Sequence, residues 1–219
     1  NHEQVGAGIR GVERSSFFLT SKVGPENLRH DDTIAVCERS LRELGTDYLD
    51  MLLIHWPNKD IPMLETFEAM ARLTQRGLIR SAGVSNFVAA RLDEAVRISP
   101  VPICTNQVEF HPLLFQRSLL SFCGDRGVKV TAYSPLARTE ALTHPVIVAV
   151  SEETGRTPAQ VCLNWLVQKG IIVIPKASSE NRLRENMDIF DWSLTAEQQA
   201  RIDAIGEQKR LIHPDIAEF

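Results

Sequence analysis

The sequence is poor in the features that would place it in a specialised class. Its 219 residues include four widely spaced cysteines and no CxxC pair, so we expect neither a metal site nor a redox pair, but reduced thiols in a core. No apolar run reaches the ~18 residues of a membrane span, and no secretory signal is recognisable. The 24 basic and 28 acidic residues include no basic block that would bind nucleic acid. We therefore expect a cytoplasmic protein with neither a membrane nor a nucleic-acid partner.

The sequence does contain a regular alternation of short apolar strands and longer amphipathic helices. Apolar residues make up 43% of the chain, which predicts one sizeable core and a single domain over residues 1–219. The last predicted helix has Thr195 as its N-cap and Gln198 in the capping-box position. Strands are predicted at 17–22, 50–56, 79–86, 103–110, 128–136 and 171–178, and helices at 2–12, 30–45, 62–77, 87–99, 116–127, 145–155, 157–170, 179–190 and 195–206.

Strands that are each followed by a helix predict a parallel sheet with right-handed crossovers. Both a doubly wound open sheet and a (β/α)8 barrel fit this order. Polar or reactive side chains at the carboxyl end of nearly every strand favour the barrel, because barrel enzymes build their active sites there, whereas an open sheet needs such groups only at its switch point. The glycine-rich stretch GAGIRG at 6–11 has the GxGxxG spacing but follows no strand, so it is not the dinucleotide-binding loop that an open sheet would need.

The predicted barrel is incomplete within these residues. A complete (β/α)8 barrel takes ~250 residues, or about 31 for each unit. The chain supplies six strands with their helices, preceded by one further helix. The first two strands and the first helix, roughly 45 residues by this arithmetic, are therefore expected to be missing.

Two residues at strand ends are the strongest catalytic candidates. Lys22 ends the first predicted strand, and His55 ends the second, within DYLDMLLIHWP at 47–57. A lone lysine at a strand end is usually only solvated, and a lone histidine is about as often a hydrogen-bonded core residue as a catalytic one. Consecutive barrel strands are neighbours, however. An ammonium and an imidazole at the same end can stabilise a developing oxyanion and lower the pKa of a nearby acid.

Six stretches, in order along the whole chain, resemble the aldo/keto reductase family, particularly bacterial members similar to the 2,5-diketogluconate reductases. They are LTSKV at 19–23, LGTDYLDMLLIHWP at 44–57, GLIRSAGVSNF at 77–87, NQVEFHP at 106–112, TAYSPLA at 131–137, and IPKAS with NRLREN at 174–186. Each stretch alone is weak, but their order and spacing together are specific. The resemblance implies a (β/α)8 barrel that binds NADPH across its carboxyl-terminal rim and reduces a small-molecule carbonyl compound.

The resemblance also implies a catalytic tetrad of aspartate, tyrosine, lysine and histidine. Lys22 falls on the lysine that depresses the pKa of the tyrosine, and His55 falls on the histidine that orients the carbonyl. The tyrosine, which donates the proton, and the aspartate are expected just ahead of Asn1. Tyr48 and Asp50 lie at the start of their strand and are expected to be structural.

Further residues would contact the cofactor and the substrate by the same resemblance. Amide and hydroxyl groups would hold the carboxamide, a tyrosine would stack on the nicotinamide, and two cations at a helix N-terminus would bind the 2′-phosphate. Ala177 stands where the family commonly has serine, which loosens the preference for NADPH over NADH. Glu109 and His111 match a structural stretch. The assigned residues are Ser85, Asn86 and Gln107 for the carboxamide; Tyr133 for the ring; Ser134 and Leu136 for the pyrophosphate; Lys176, Ser178 and Arg182 for the 2′-phosphate; Glu185 and Asn186 for the adenine; and Trp56 for the substrate.

Three functions stay open. The first is an NADPH-dependent aldo/keto reductase, monomeric when complete, whose first residues are missing here. The second is a noncatalytic nucleotide-binding relative with a regulatory or scaffold role. The third is a truncated chain with unpaired sheet edges. Lys22 and His55 favour the first, because a binding module does not need both. Residues 1–219 alone are expected to be inactive, and the short segment KRLIHPDIAEF at 209–219 is expected to add little to substrate shape.

Overall fold

The computed structural model describes residues 1–219 and contains six parallel strands in one sheet. The strands are β1 (Thr20–Val23), β2 (Leu49–Ile54), β3 (Ile79–Ser85), β4 (Ile103–Glu109), β5 (Lys129–Tyr133) and β6 (Ile172–Val173). The sheet order is β1-β2-β3-β4-β5-β6, so strands that follow one another in the chain are also neighbours in the sheet. Because β1 and β6 are the two edges, the predicted (β/α)8 barrel is incomplete in these residues.

A helix follows each strand, as predicted, and each observed strand overlaps its predicted one. None of the nine α-helices is both long enough and apolar enough to cross a lipid bilayer. The helices are α1 (His2–Ile9), α2 (His30–Leu44), α3 (Met63–Gln75), α4 (Ala89–Ile98), α5 (Arg117–Asp125), α6 (Pro145–Thr154), α7 (Pro158–Gln168), α8 (Glu180–Met187) and α9 (Ala196–Asp203).

The structure corrects the bounds of the first and last strands. Residues Arg14–Ser16 form a short 3₁₀ helix, so β1 begins only at Thr20 rather than at residue 17. The last strand was predicted over 171–178 but has two residues. The Ile174 amide still donates to the Ala132 carbonyl at 3.3 Å, but Pro175 then has no N–H to continue the ladder.

The chain forms two compact units, which are described separately. Unit 1 comprises residues 1–106 with 215–219, and unit 2 comprises residues 107–214. In unit 1, β2 pairs in parallel with β1 and β3. Its residues Leu52, Leu53 and Ile54 have no exposed surface, as expected for a central strand that is covered on both faces. The preceding helix α2 is capped by Gly45, whose left-handed φ of 66° lets its amide donate to the Arg42 carbonyl.

The core of unit 2 is built around Trp165 on α7. This side chain is fully buried, and the Phe115 ring meets it edge-on with centroids 5.2 Å apart. Its indole N–H donates to Asp203 of α9 at 2.7 Å, so the polar end of the ring is satisfied. The start of α9 has the predicted capping box of Thr195 and Gln198, which is therefore confirmed.

Candidate active site

Lys22 and His55 lie side by side in unit 1, at the carboxyl ends of β1 and β2. In the parallel pairing of these strands, Lys22 is opposite Leu53. The His55 amide donates to the Val23 carbonyl at 2.9 Å, so the two backbones stay paired to this point. His55 is two residues beyond Leu53, and side chains two residues apart on a strand project from the same face. The two predicted catalytic residues therefore share one face of the sheet.

Burial lowers the pKa of both side chains of this pair, and the charge of Lys22 lowers that of His55 further. Partial burial lowers the pKa of Lys22 below its usual value. Burial, together with the positive charge of Lys22, also lowers the pKa of His55, although the carboxylate of Glu26 acts in the opposite direction. His55 is therefore neutral near pH 7, with one ring nitrogen as donor and the other as acceptor. The residue is exposed, so it is not a core histidine.

Asn86 fixes the backbone of the candidate histidine. Directly after β3, it adopts a left-handed φ of 64°, which asparagine tolerates better than most residues. Its side-chain amide donates to the His55 carbonyl at 3.0 Å and to the Ser85 hydroxyl at 3.1 Å. Ser85 and Asn86, predicted to hold the carboxamide, are both buried. Part of the donor capacity of Asn86 therefore serves to hold the turn at His55.

Asn106 has a positioning role that the sequence analysis did not assign. Its buried side-chain amide donates to the Phe87 carbonyl at 2.8 Å, and its Oδ1 accepts from the Phe87 amide at 3.4 Å. This reciprocal pair fixes the loop between β3 and α4, immediately after Asn86. An amide side chain within the apolar strand β4, next to the predicted Gln107, was the sequence signal for it.

Trp56, predicted to overhang the substrate, directly follows His55 in unit 1. Its side chain is 8% exposed, and its ring centroid lies 6.0 Å from that of Phe219, with an angle of 49° between the planes. The segment that carries Phe219 was expected to contribute little to substrate shape. The contact between the two rings shows that its last residues lie beside Trp56.

In unit 2, Gln107 and Tyr133 are the predicted nicotinamide residues on β4 and β5. Gln107 is 5% exposed, and Tyr133 is partly buried. Burial raises the pKa of the Tyr133 phenol, and the negative charge of Glu109 raises it further. Tyr133 is therefore a neutral phenol at all physiological pH values. Its ring offers a flat surface, as predicted, but its hydroxyl is a weak acid.

The predicted pyrophosphate residues in unit 2 precede a strained loop. Ser134 has a left-handed φ of 49°, and Leu136 is followed by three more left-handed residues, Ala137, Arg138 and Thr139, with φ values of 50°, 51° and 82°. Left-handed conformations of residues other than glycine cost of order 1–3 kcal/mol each and cluster at ligand sites. The value of 82° at Thr139 is the most unfavourable, because threonine is β-branched.

The predicted 2′-phosphate residues of unit 2 surround the start of α8. Lys176, Ser178 and Arg182 are all exposed. The helix begins after Ser179, whose hydroxyl accepts from the Arg182 amide at 3.4 Å. Two exposed cations close to a helix N-terminus suit a phosphate group.

The predicted adenine residues, Glu185 and Asn186, follow in α8 and are only partly exposed. One carboxylate oxygen of Glu185 already accepts a hydrogen bond from the hydroxyl of Thr157. Thr157 is the N-cap residue of α7. Glu185 would therefore have to keep this hydrogen bond from Thr157 while it contacts adenine. Asn186 forms no hydrogen bond with the start of α7.

Glu109 and His111, to which no catalytic role was assigned, form a buried anchor in unit 2. Both side chains are fully buried, and the His111 ring bonds Glu109 at 3.0 Å. The Glu109 carboxylate also accepts the amides of Leu211 and Ile212 at 2.8 and 3.1 Å. Burial alone would raise the pKa of Glu109, but these hydrogen bonds lower it below its ordinary value. The carboxylate therefore ties residues 211–212 to the end of β4.

The chain has two tyrosines, and Tyr48 lies far from His55 along β2. Tyr48 immediately precedes the strand, at its amino end, and its ring is stacked between the guanidinium groups of Arg14 and Arg80 at 3.8 and 3.7 Å. Asp50 is buried and accepts from Arg14 at 2.8 Å and from the Leu19 amide at 2.9 Å. Both residues thus have the structural surroundings that were expected of them.

The chain belongs to the aldo/keto reductase family, whose sequence profile matches residues 1–207. It is 41% identical over 213 residues to glyoxal reductase of Bacillus subtilis (strain 168), covering 96% of this chain and 77% of the relative. A solved structure that carries the name 2,5-diketo-D-gluconic acid reductase B is 40% identical with a TM-score of 0.96, covering 99% and 79% of the two chains. The fold is therefore the (β/α)8 barrel of this family, incomplete in these residues.

A solved relative also indicates the cofactor of the family. An aldo-keto reductase of Bombyx mori, 33% identical with a TM-score of 0.90 and covering 97% of this chain and 77% of its own, was solved in complex with NADP. Each unit, taken by itself, has side chains of the kinds that such a group needs. Unit 1 has buried polar side chains next to His55; unit 2 has a partly buried tyrosine ring and exposed cations at a helix N-terminus.

Proposed function

We propose that this protein reduces aldehydes or ketones to alcohols with NADPH. The observation that carries the proposal is the common face of Lys22 and His55 in unit 1, with His55 neutral near pH 7. Bound NADPH would supply the hydride. The neutral His55 ring donates a hydrogen bond to the carbonyl oxygen and so orients it, and the Lys22 ammonium stabilises the negative charge that develops as the proton donor loses its proton.

The proton donor is proposed to be a tyrosine outside residues 1–219. Tyr48 lies at the opposite end of β2 from His55, between two guanidinium groups. Tyr133 has a raised pKa, which makes it a poor proton donor. Neither suits the role, so the acid and its aspartate partner are proposed to be encoded ahead of Asn1. Residues 1–219 alone are accordingly proposed to be inactive.

The remaining residues are proposed to hold the cofactor and the substrate. Buried amide and hydroxyl groups bind the carboxamide, and the exposed cations at α8 bind the 2′-phosphate. Glyoxal reductase among the relatives makes small aldehydes such as methylglyoxal reasonable assay substrates. The proposed set is Ser85 and Asn86 in unit 1; Gln107, Tyr133, Ser134, Leu136, Lys176, Ser178, Arg182, Glu185 and Asn186 in unit 2; and Trp56 for the substrate.

The decisive experiment compares residues 1–219 with the protein that includes any residues encoded ahead of Asn1. Oxidation of NADPH is followed at ~340 nm with methylglyoxal and 4-nitrobenzaldehyde. We expect no turnover by residues 1–219 and clear turnover by the longer protein. Sequencing the codons before Asn1 should find an in-frame Asp-x₄-Tyr segment. Turnover by residues 1–219 alone would show that they already contain the acid.

The cofactor assignment has its own test, with a matched control on the same helix. Arg182 and Arg184 are both exposed on α8, but Arg184 is paired with Glu180 at 2.6 Å. Arg182→Ala should raise the Michaelis constant for NADPH more than it lowers kcat, and should affect NADH less. Arg184→Ala should change neither. Equal effects of Arg182→Ala on both cofactors would show that Arg182 does not contact the 2′-phosphate.

A noncatalytic, nucleotide-binding role is the alternative, and the lack of a suitable tyrosine within residues 1–219 favours it. The alternative predicts that the longer protein binds NADPH yet oxidises none of it with any aldehyde. Quenching of tryptophan fluorescence by NADPH, measured on the same preparation, separates binding from turnover. Binding without turnover would select the noncatalytic role.

A further inference from the structure

A buried ion pair joins α4 to the segment that follows α9. The guanidinium of Arg91, in the first turn of α4, binds both carboxylate oxygens of Glu218, with distances of 2.6 Å from Nη2 and 3.3 Å from Nε. The side chain of Glu218 is only 8% exposed. Lys59 adds a second positive charge at 3.9 Å. The two-bonded geometry is the strongest form of contact between arginine and a carboxylate.

This ion pair holds a segment that has no regular secondary structure. Residues 209–219, the return segment, contain neither helix nor strand. Its first half is fixed in unit 2 by Glu109, which binds the amides of Leu211 and Ile212. Its residues 215–219 belong to unit 1, where Arg91 binds Glu218. Removing the guanidinium would leave the Glu218 carboxylate buried without its main partner, so residues 215–219 would be released.

The residue that this pair positions is Phe219. Its ring lies 6.0 Å from that of Trp56, within the range of favourable aromatic contacts. Trp56 is almost fully buried, whereas Phe219 keeps 44% of its surface exposed. Because Trp56 directly follows His55, the two rings form an apolar surface next to the residue proposed to orient the carbonyl.

We propose that Arg91 is a positioning residue for substrate selection. By holding Glu218 it keeps Phe219 against Trp56, and the paired rings favour carbonyl compounds that carry an aromatic or bulky apolar group. Arg91 itself touches no substrate. The proposal rests on the proposed carbonyl reductase function.

The first test compares two substrates of different size. In the active protein, Arg91→Gln should raise the KM for 4-nitrobenzaldehyde about 3- to 10-fold, the range expected from the loss of one aromatic contact. The KM for methylglyoxal should change less than about twofold, and kcat should change little. The KM of Arg91→Lys for 4-nitrobenzaldehyde should lie between those of the unmodified protein and Arg91→Gln, because lysine keeps the charge but loses the two-bonded geometry. Arg97→Gln, on an exposed position of the same helix, is the control and should change nothing.

The second test does not depend on activity. The chain contains three tryptophans, so protein labelled with 5-fluorotryptophan gives three ¹⁹F resonances, and Trp56→Phe identifies that of Trp56. Arg91→Gln should shift the Trp56 resonance and leave those of Trp165 and Trp192 unchanged. If Arg91→Gln changes neither this resonance nor the ratio of the KM for 4-nitrobenzaldehyde to that for methylglyoxal in an active protein, the proposed role of Arg91 is overturned. A shifted resonance in a protein that reduces no carbonyl would instead overturn the proposed function, and the selection role with it.

Discussion

Replacing Gly83 by alanine should destabilise the protein at β3, the strand next to the one that ends at the candidate histidine. A Cβ atom at this position in β3 would lie 2.7 Å from Cδ2 of Leu53, 2.9 Å from the carbonyl oxygen of Thr105 and 3.0 Å from its Cγ2. The end of the Leu53 side chain can move away, but the Thr105 carbonyl belongs to the backbone of β4. The three strands would therefore have to separate to admit one methyl group.

The expected cost follows from this geometry. Forcing an extra methyl into a packed core usually costs about 1–3 kcal/mol of unfolding free energy. Because a backbone atom lies only 2.9 Å from the new methyl, we expect a cost of about 2 kcal/mol here. Gly124 is the matched control, since a Cβ there meets no atom within 4 Å. Because Gly124 lies in α5, alanine should stabilise that helix by about 0.5–1 kcal/mol.

Urea unfolding followed by circular dichroism measures both variants under the same conditions. Gly83→Ala should shift the midpoint to lower urea, and Gly124→Ala should shift it to higher urea, with a difference of roughly 2.5–3 kcal/mol between them. If the two variants have similar unfolding free energies, the close approach of β2, β3 and β4 at this residue is refuted.

Three further perturbations test other parts of the site. Lys22→Gln removes the charge that helps to lower the pKa of His55, so proton NMR titration should find a higher pKa for the His55 ring; an unchanged value would mean that the two side chains do not interact. Glu109→Gln should cost about 2 kcal/mol of unfolding free energy near pH 7. Because the folded-state pKa of Glu109 is lowered, this stability is present at neutral pH and is lost as the pH falls through that pKa; a loss that does not depend on pH would contradict a charged anchor. Thr139→Gly relieves the φ of 82° and should stabilise the protein by about 1 kcal/mol, whereas Thr143→Gly, where φ is not positive, should destabilise it; thermal unfolding compares the two.

Much of the fold could be predicted because its signals are local. Apolar strands such as 49–54 and capped helices such as α9 depend on residues close together in the chain, and the structure contains both. The last strand was predicted too long because Pro175, which lies within the predicted range, has no N–H to donate to the ladder. Lys22 and His55 could be placed at the same end of neighbouring strands because parallel strands put their carboxyl ends at the same edge of a sheet. Their common face follows from the register of β1 and β2, which only the structure gives.

The contacts that escaped prediction join residues far apart in the chain. Arg91 and Glu218 are separated by 127 positions, and Glu109 is 102 and 103 positions from the two amides it binds. No periodic pattern or short motif links such residues, so they could be found only from coordinates. Asn106 is an intermediate case, because its position in the strand beside Gln107 was visible but its bond to Phe87 was not.

The catalytic role of Lys22 is tested most directly by its replacement with methionine in the protein that includes the residues encoded ahead of Asn1. The measurement is kcat for NADPH-dependent reduction of methylglyoxal at saturating cofactor. Removing a group that assists proton transfer should lower kcat by about 10²- to 10⁴-fold, with the dissociation constant for NADPH nearly unchanged. A kcat within about tenfold of the unmodified protein would contradict the assignment of Lys22 as a catalytic residue.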